Sequence, residues 1–160
     1  RIRLRLENYM ETVFRNVLLV AIMLVVGSFI MLLSEFFATK NKELNIKNGF
    51  IIGLFQWLAL SPGMSRSGMT ISGGLFTGLD REAATRFSFL LSFPIIFGSG
   101  LKKVFDIQVF DLSFGLAFLT AFIVGLAAIH FLLKFLKTHT LRAFAWYRIF
   151  FACFIVYGFI

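Results

Sequence analysis

The stretch Leu60-Ser61-Pro62-Gly63-Met64-Ser65-Arg66-Ser67-Gly68-Met69-Thr70 decides how this chain folds. It sets an arginine, four hydroxyls, a proline and two glycines between two apolar runs. On one side lie residues 49–60, whose only strongly polar side chain is Gln56. On the other lie residues 71–79, apolar or small apart from Ser72 and Thr77. As helices rising about 1.5 Å per residue, each run covers only about half of a bilayer core. Two half-length helices joined by a Pro-Gly break read as a re-entrant hairpin over about residues 48–78. Irregular backbone survives at membrane depth only where protein buries it or a wet cavity receives it. An arginine at the tip of such a hairpin is expected to act on something.

The rest of the composition agrees. The chain has 160 residues, of which 59% are hydrophobic and 15% charged, with a mean hydropathy of +0.88. These values exclude an ordinary water-soluble globule and predict one all-α integral membrane domain. The net charge of +8 falls mostly in short connectors between apolar runs, the distribution by which membrane proteins hold their orientation. It does not form the basic patch of a nucleic-acid-binding protein. The single cysteine, Cys153, lies in an apolar run and offers neither a disulfide framework nor a thiolate metal site.

Taken in order, residues 1–16 begin Arg-Ile-Arg-Leu-Arg-Leu and read as an interfacial or truncated segment, the opening of a piece of something longer. Residues 17–160 form the expected membrane domain. Its first span is residues 17–38, with Glu35 near the end, where a carboxylate can snorkel to the interface. The hairpin follows a lysine-rich connector. Asp80-Arg81-Glu82 marks a helix start, and Pro94 is expected to kink that helix, which runs to about Leu101. Further spans are expected at residues 112–136 and 141–160. The architecture is then about four transmembrane helices plus one re-entrant helix-loop-helix hairpin. Connectors 39–47, 79–82 and 137–141 share one face, which the positive-inside rule makes cytoplasmic. A cavity above the hairpin tip is expected to open outward.

At the tip, Pro62-Gly63 ends the first half-helix and Ser65 or Ser67 can cap the second. A helix N-terminus beside Arg66 makes an anion site: free N–H donors, a favourable dipole and a guanidinium fork matched to phosphate oxygens. Ser65, Ser67 and Thr70 add hydroxyls. Gly68, Gly73, Gly74 and Gly78 keep the second half-helix thin enough for close packing. The bland alternative is a polar loop satisfying its own backbone, with Arg66 paired to a carboxylate such as Glu35. Arg148, inside the last span, could contact phosphate or pair with Glu35. This chemistry alone does not separate a phosphatase from a transporter or flippase that binds a phosphate-bearing lipid or anion.

The residues resemble a known family. Gly53-Leu54-Phe55-Gln56-Trp57-Leu58-Ala59-Leu60 with Pro62-Gly63-Met64-Ser65-Arg66-Ser67-Gly68-Met69-Thr70 is similar to the second signature, PGxSRSxxT, of the bacterial undecaprenyl-diphosphate phosphatases, the bacitracin-resistance family. The likeness continues through Ile71-Ser72-Gly73-Gly74, Arg86-Phe87-Ser88-Phe89-Leu90-Leu91, Pro94, Thr120-Ala121-Phe122 and Tyr147-Arg148. It implies hydrolysis of undecaprenyl diphosphate to the monophosphate and phosphate, recycling the cell-wall lipid carrier and conferring bacitracin resistance. It also implies a fold of two inverted repeats, each with a re-entrant hairpin. By the same resemblance Arg66 engages the diphosphate, with Ser65 and Thr70 beside it in the catalytic set. Ser67, Gly63, Gly68 and Arg148 are the expected substrate-binding residues.

One part of the family pattern has no counterpart. The first repeat's glutamate-rich signature and histidine are matched by no segment. Glu7 and Glu11 have i, i+4 spacing in unsuitable surroundings, and His130 and His139 fall near a connector. The expectation is a C-terminal half of the enzyme. The divalent cation (Mg or Ca) that the resemblance implies would then take its ligands from the N-terminal half. Ser65 as a covalent nucleophile would need an adjacent base, so a hydrogen-bonding role is expected for it. The expected partners are a polyprenyl diphosphate lipid and the membrane itself, with a homodimer left open and no nucleic acid. The expected location is the bacterial inner (plasma) membrane.

Overall fold

Among the residues described by the computed structural model, 17–38, 42–105 and 111–159, every regular element is a helix. In chain order these are α1 (Val17–Ser34), a 3-10 turn (Glu35–Phe37), α2 (Ile46–Leu58), α3 (Arg66–Phe76), α4 (Arg81–Val104), α5 (Leu112–Thr138) and α6 (Arg142–Phe159). The interfacial reading of residues 1–16, and Glu7 and Glu11 with it, lies outside the described residues.

The boundaries are set by local chemistry. The side chain of Asn45 accepts the Asn48 N–H at 2.9 Å and starts α2. Asp80 accepts from the Ala83 amide at 2.7 Å and starts α4, where Glu82 adds a negative charge to the first turn. Asp111 does the same for α5 through Phe114, at 2.9 Å. At the end of α3, Gly78 takes φ +89°, so that its N–H reaches Leu75 O and the Leu79 N–H reaches Gly74 O. That paired closure needs a residue tolerant of left-handed backbone. α4 runs on through Pro94 to Val104, three residues past the expected end.

The expected hairpin is present. α2 has 13 residues and α3 has 11, so at 1.5 Å per residue they reach about 20 and 16 Å, against about 30 Å of hydrocarbon core. α3 is the centre of the bundle: residues 68–75 are all buried, packed against α1, α2 and α4. Small residues make this possible on three sides. A Cβ on Gly68 would stand 3.0 Å from the Met31 sulfur, one on Gly73 2.9 Å from the Phe55 ring, and one on Gly74 2.7 Å from the Ala84 methyl. Close helix approach through small residues is how membrane helices gain packing without a hydrophobic driving force between them.

α6 lies along α1, and α5 packs on α4. The outward faces of these helices carry Leu90, Phe93, Phe118, Phe122, Phe150 and Phe154, all exposed, as expected where lipid is the solvent. Among the described residues, three helical segments are long and apolar enough to cross a membrane: Val17–Phe37, Arg81–Val104 and Leu112–Thr138. The expected fourth span is α6, which is not among them. It has 18 residues, with Arg142 and Arg148 in its first two turns.

The connectors meet at one end of the bundle. Glu35 binds Arg81, and its second oxygen accepts the Leu141 N–H. The Lys42 N–H bonds Gly78 O at 3.1 Å, so the hairpin enters and leaves by the same face. Glu35 does not snorkel. It is 5% exposed, because the start of α4 brings a guanidinium to it inside the bundle.

Candidate functional site

The site is built on the turn between the half-helices. α2 ends as the Ala59 N–H returns to Phe55 O, and two further turns carry the chain to Pro62. Gly63 follows at φ +91°, where a Cβ would stand 2.6 Å from Val20 O on α1. Only glycine fits there. Ser65 then caps α3: its hydroxyl accepts the Gly68 N–H at 3.3 Å and its carbonyl accepts the Met69 N–H at 3.0 Å. Its φ of +67° makes it the one non-glycine in left-handed backbone among the described residues. Such a conformation costs about 1–3 kcal/mol and persists only where the surroundings over-determine it.

With Gly68 bonded to the cap, the Arg66 and Ser67 amides are the helix N–H groups left without an acceptor among the described residues. They point the positive end of α3 away from its own backbone. The Arg66 side chain is exposed, and no carboxylate among the described residues pairs with it. The pairing of Arg66 with Glu35 does not occur; Arg81 holds Glu35 instead, at 2.6 and 3.0 Å.

A cavity of about 250 Å³ opens beside this tip. Its polar end is formed by Ser65, Ser67, Gly68 and Arg148, and its walls include Leu132, Leu136, Phe144 and Tyr147. A small polar end on an apolar chamber suits a ligand with a charged head and a hydrocarbon body. Met31, Leu136 and Leu141 also line it, so it runs from the tip toward the connector end of the bundle. The cavity lies between the second half-helix and residues of α5 and α6.

The structure thus gathers four of the expected site residues on one cavity, Ser65, Ser67, Gly68 and Arg148, while Arg66, between Ser65 and Ser67 in sequence, is exposed and does not line it. Gly63 and Thr70 lie behind. Gly63 packs on α1, and the Thr70 hydroxyl is buried, donating to Arg66 O at 2.9 Å and meeting Ser88 Oγ on α4. Arg148 does not pair with Glu35. It donates to Gly63 O at 2.6 Å, Met64 O at 3.0 Å and Leu24 O at 3.3 Å.

Two partners of the site escaped the reading of the sequence. Gly27 on α1 provides the space that the Arg148 guanidinium fills, since a Cβ there would stand 2.7 Å from Nη2. The signal was a lone glycine inside an apolar span. Ser88 supports Thr70 from the next helix. His130 lies in a separate groove with Glu82, Arg86, Lys134 and Lys137, and His139 stacks on Phe135 at 4.3 Å.

Among the described residues no group of three His, Cys, Asp or Glu side chains is placed to hold a metal ion. Glu35 and Glu82 are already engaged in ion pairs. The described residues therefore do not fit a divalent-cation site.

Known proteins are similar to this sequence. The family described as bacitracin resistance protein BacA matches residues 2–154. An undecaprenyl-diphosphatase of Corynebacterium striatum is 44% identical over 154 residues, covering 90% of this chain and 55% of the relative. One from Caldicellulosiruptor bescii is 44% identical over 158 residues, covering 94% and 60%. One from Moorella thermoacetica is 41% identical over 155 residues, covering 94% and 59%. The chain spans about half the length of the curated relatives it matches. With a match over nearly its whole length, the chain belongs to the bacitracin resistance protein BacA family.

Proposed function

We propose that this chain carries the phosphate-binding hairpin of an undecaprenyl-diphosphatase of the bacterial cell membrane, which hydrolyses undecaprenyl diphosphate to undecaprenyl phosphate and inorganic phosphate. The observation that carries the reading is the tip of α3: two amides and an exposed Arg66 guanidinium without partners among the described residues, next in sequence to the Ser65 and Ser67 hydroxyls that line an apolar-walled cavity. Relatives named for that activity support it.

Hydrolysis of a diphosphate requires charge to be neutralised on both phosphoryl groups as the bridging bond breaks. In this reading the Arg66 fork takes two phosphate oxygens, and the Arg66 and Ser67 amides take a third. Ser67 donates a further hydrogen bond. The Ser65 hydroxyl already accepts from Gly68, and the cavity lining contains no histidine or carboxylate that could act as its base. Ser65 therefore orients the helix end and hydrogen-bonds the substrate, and Thr70 braces that end through Ser88. The isoprenoid chain lies along the apolar walls. The divalent cation implied by the family resemblance would take its ligands outside the described residues.

The test is phosphate release from undecaprenyl diphosphate by the full-length protein in nanodiscs. Release that falls steeply in Ser67→Ala supports the proposal. Movement of the lipid across a vesicle membrane without any release of phosphate overturns it in favour of a transporter.

A further inference from the structure

The Arg148 guanidinium is spent on backbone. Arginine carries five N–H donors. Four are used here: Nη1 donates to Met64 O and to the Met31 sulfur at 3.8 Å, and Nη2 to Gly63 O and Leu24 O. The fifth, on Nε, is buried with no acceptor. The residue as a whole is 8% exposed. All four Nη donors are thus committed to protein acceptors, and no carboxylate among the described residues offsets the charge. A cation inside a membrane protein is costly and is normally matched to an anion or to backbone carbonyls with a task to perform. The matched carbonyls here belong to two successive residues of the hairpin turn and to one residue of α1.

Those two carbonyls immediately precede Ser65, the strained residue that starts α3. Gly27 makes the arrangement possible. A methyl in its place would stand 2.7 Å from Nη2 and 2.9 Å from Met64 O, between the guanidinium and the turn it holds.

We infer that Arg148 is a positioning residue. It pins the turn at Gly63 and Met64 to α1 and α6, and so fixes the left-handed Ser65 and the direction in which the Arg66 and Ser67 amides leave the helix. This rests on the proposed reading that those amides and Arg66 grip the diphosphate. The role requires the planar fork and its spread of donors; a lysine brings the charge without that geometry. A substrate contact weakens binding when removed, whereas misplacing a catalytic group lowers turnover.

The experiment compares wild type, Arg148→Lys and Gly27→Ala in the full-length protein in nanodiscs. It measures kcat and KM for phosphate release from undecaprenyl diphosphate, and amide hydrogen exchange over residues 61–69. Arg148→Lys is expected to lower kcat about tenfold or more, with KM within about threefold of wild type. Exchange of the turn amides rises while the rest of α1 and α6 keeps its protection. Gly27→Ala, which leaves the arginine in place but pushes against it, moves the same quantities in the same direction. A raised KM with unchanged kcat and unchanged exchange overturns the inference and makes Arg148 a direct phosphate contact. Faster exchange with unchanged kcat also overturns it, leaving a merely structural tie. If wild type releases no phosphate, the proposed function fails instead, and unchanged exchange in Arg148→Lys still refutes the clamp.

Discussion

The carboxylate of Glu35 joins Arg81 to Leu141. One oxygen takes both Nε and Nη2 of the guanidinium, at 3.0 and 2.6 Å, and the other accepts the Leu141 N–H at 2.6 Å. The three residues begin or end three separate helical segments, so one side chain fixes how α1, α4 and α6 meet. Glu35→Ala leaves a buried N–H without an acceptor and a guanidinium, itself partly exposed, without its anion. The expected cost is about 2–3 kcal/mol. Thermal unfolding in detergent checks this, and Glu35→Gln, which can still accept from Leu141, should lose less.

Gly74 sits face to face with Ala84, where an added Cβ would come within 2.7 Å of the alanine methyl. Gly74→Val therefore forces α3 away from α4, at an expected cost of about 1–3 kcal/mol from overpacking. The hairpin should loosen as a unit, which proteolysis at the α2–α3 turn would report.

Much of this was legible from local sequence. The half-lengths of the runs around Pro62-Gly63, the cap at Ser65 and the helix start at Asp80 all depend on residues within one turn of each other, and the structure has each of them. The packing glycines were also readable, because three of them lie on one short helix. Partners were not. Glu35 finds Arg81 and Leu141, 46 and 106 residues away, and no spacing rule reaches that far. The sequence offers Arg148 two anions, phosphate and Glu35; its partners in the structure are carbonyls of a turn whose shape only the tertiary structure fixes. Which residues of α5 and α6 line the cavity with α3 depends on tertiary packing, which periodicity does not encode.

Gly63 combines φ +91° with a position for Cβ that is 2.6 Å from Val20 O. Gly63→Ala is doubly obstructed, by backbone strain of about 1–2 kcal/mol and by the clash. Phosphate release should fall about tenfold or more through the displaced turn, while membrane insertion, measured by fractionation, persists.

The proposed orientation, drawn from the charge distribution, puts the shared connector face in the cytoplasm. A cysteine introduced at Thr140, in the connector between α5 and α6, should react with a membrane-impermeant maleimide only after the cells are opened. The native Cys153, within α6, is replaced by alanine in that experiment. Labelling of intact cells would reverse the orientation.

The central claim is that the unpaired Arg66 at the start of α3 engages the diphosphate. The most direct measurement is phosphate release from undecaprenyl diphosphate by wild type, Arg66→Lys and Arg66→Ala in the full-length protein. Binding of the lipid is measured alongside in the same nanodiscs. Loss of a group that meets charge developing in the transition state costs about a hundredfold or more in turnover, so Arg66→Ala should be close to silent. Arg66→Lys should recover only a small part, because an ammonium cannot span two phosphate oxygens. Turnover in Arg66→Ala within a few fold of wild type would contradict the account and move the phosphate site away from this hairpin.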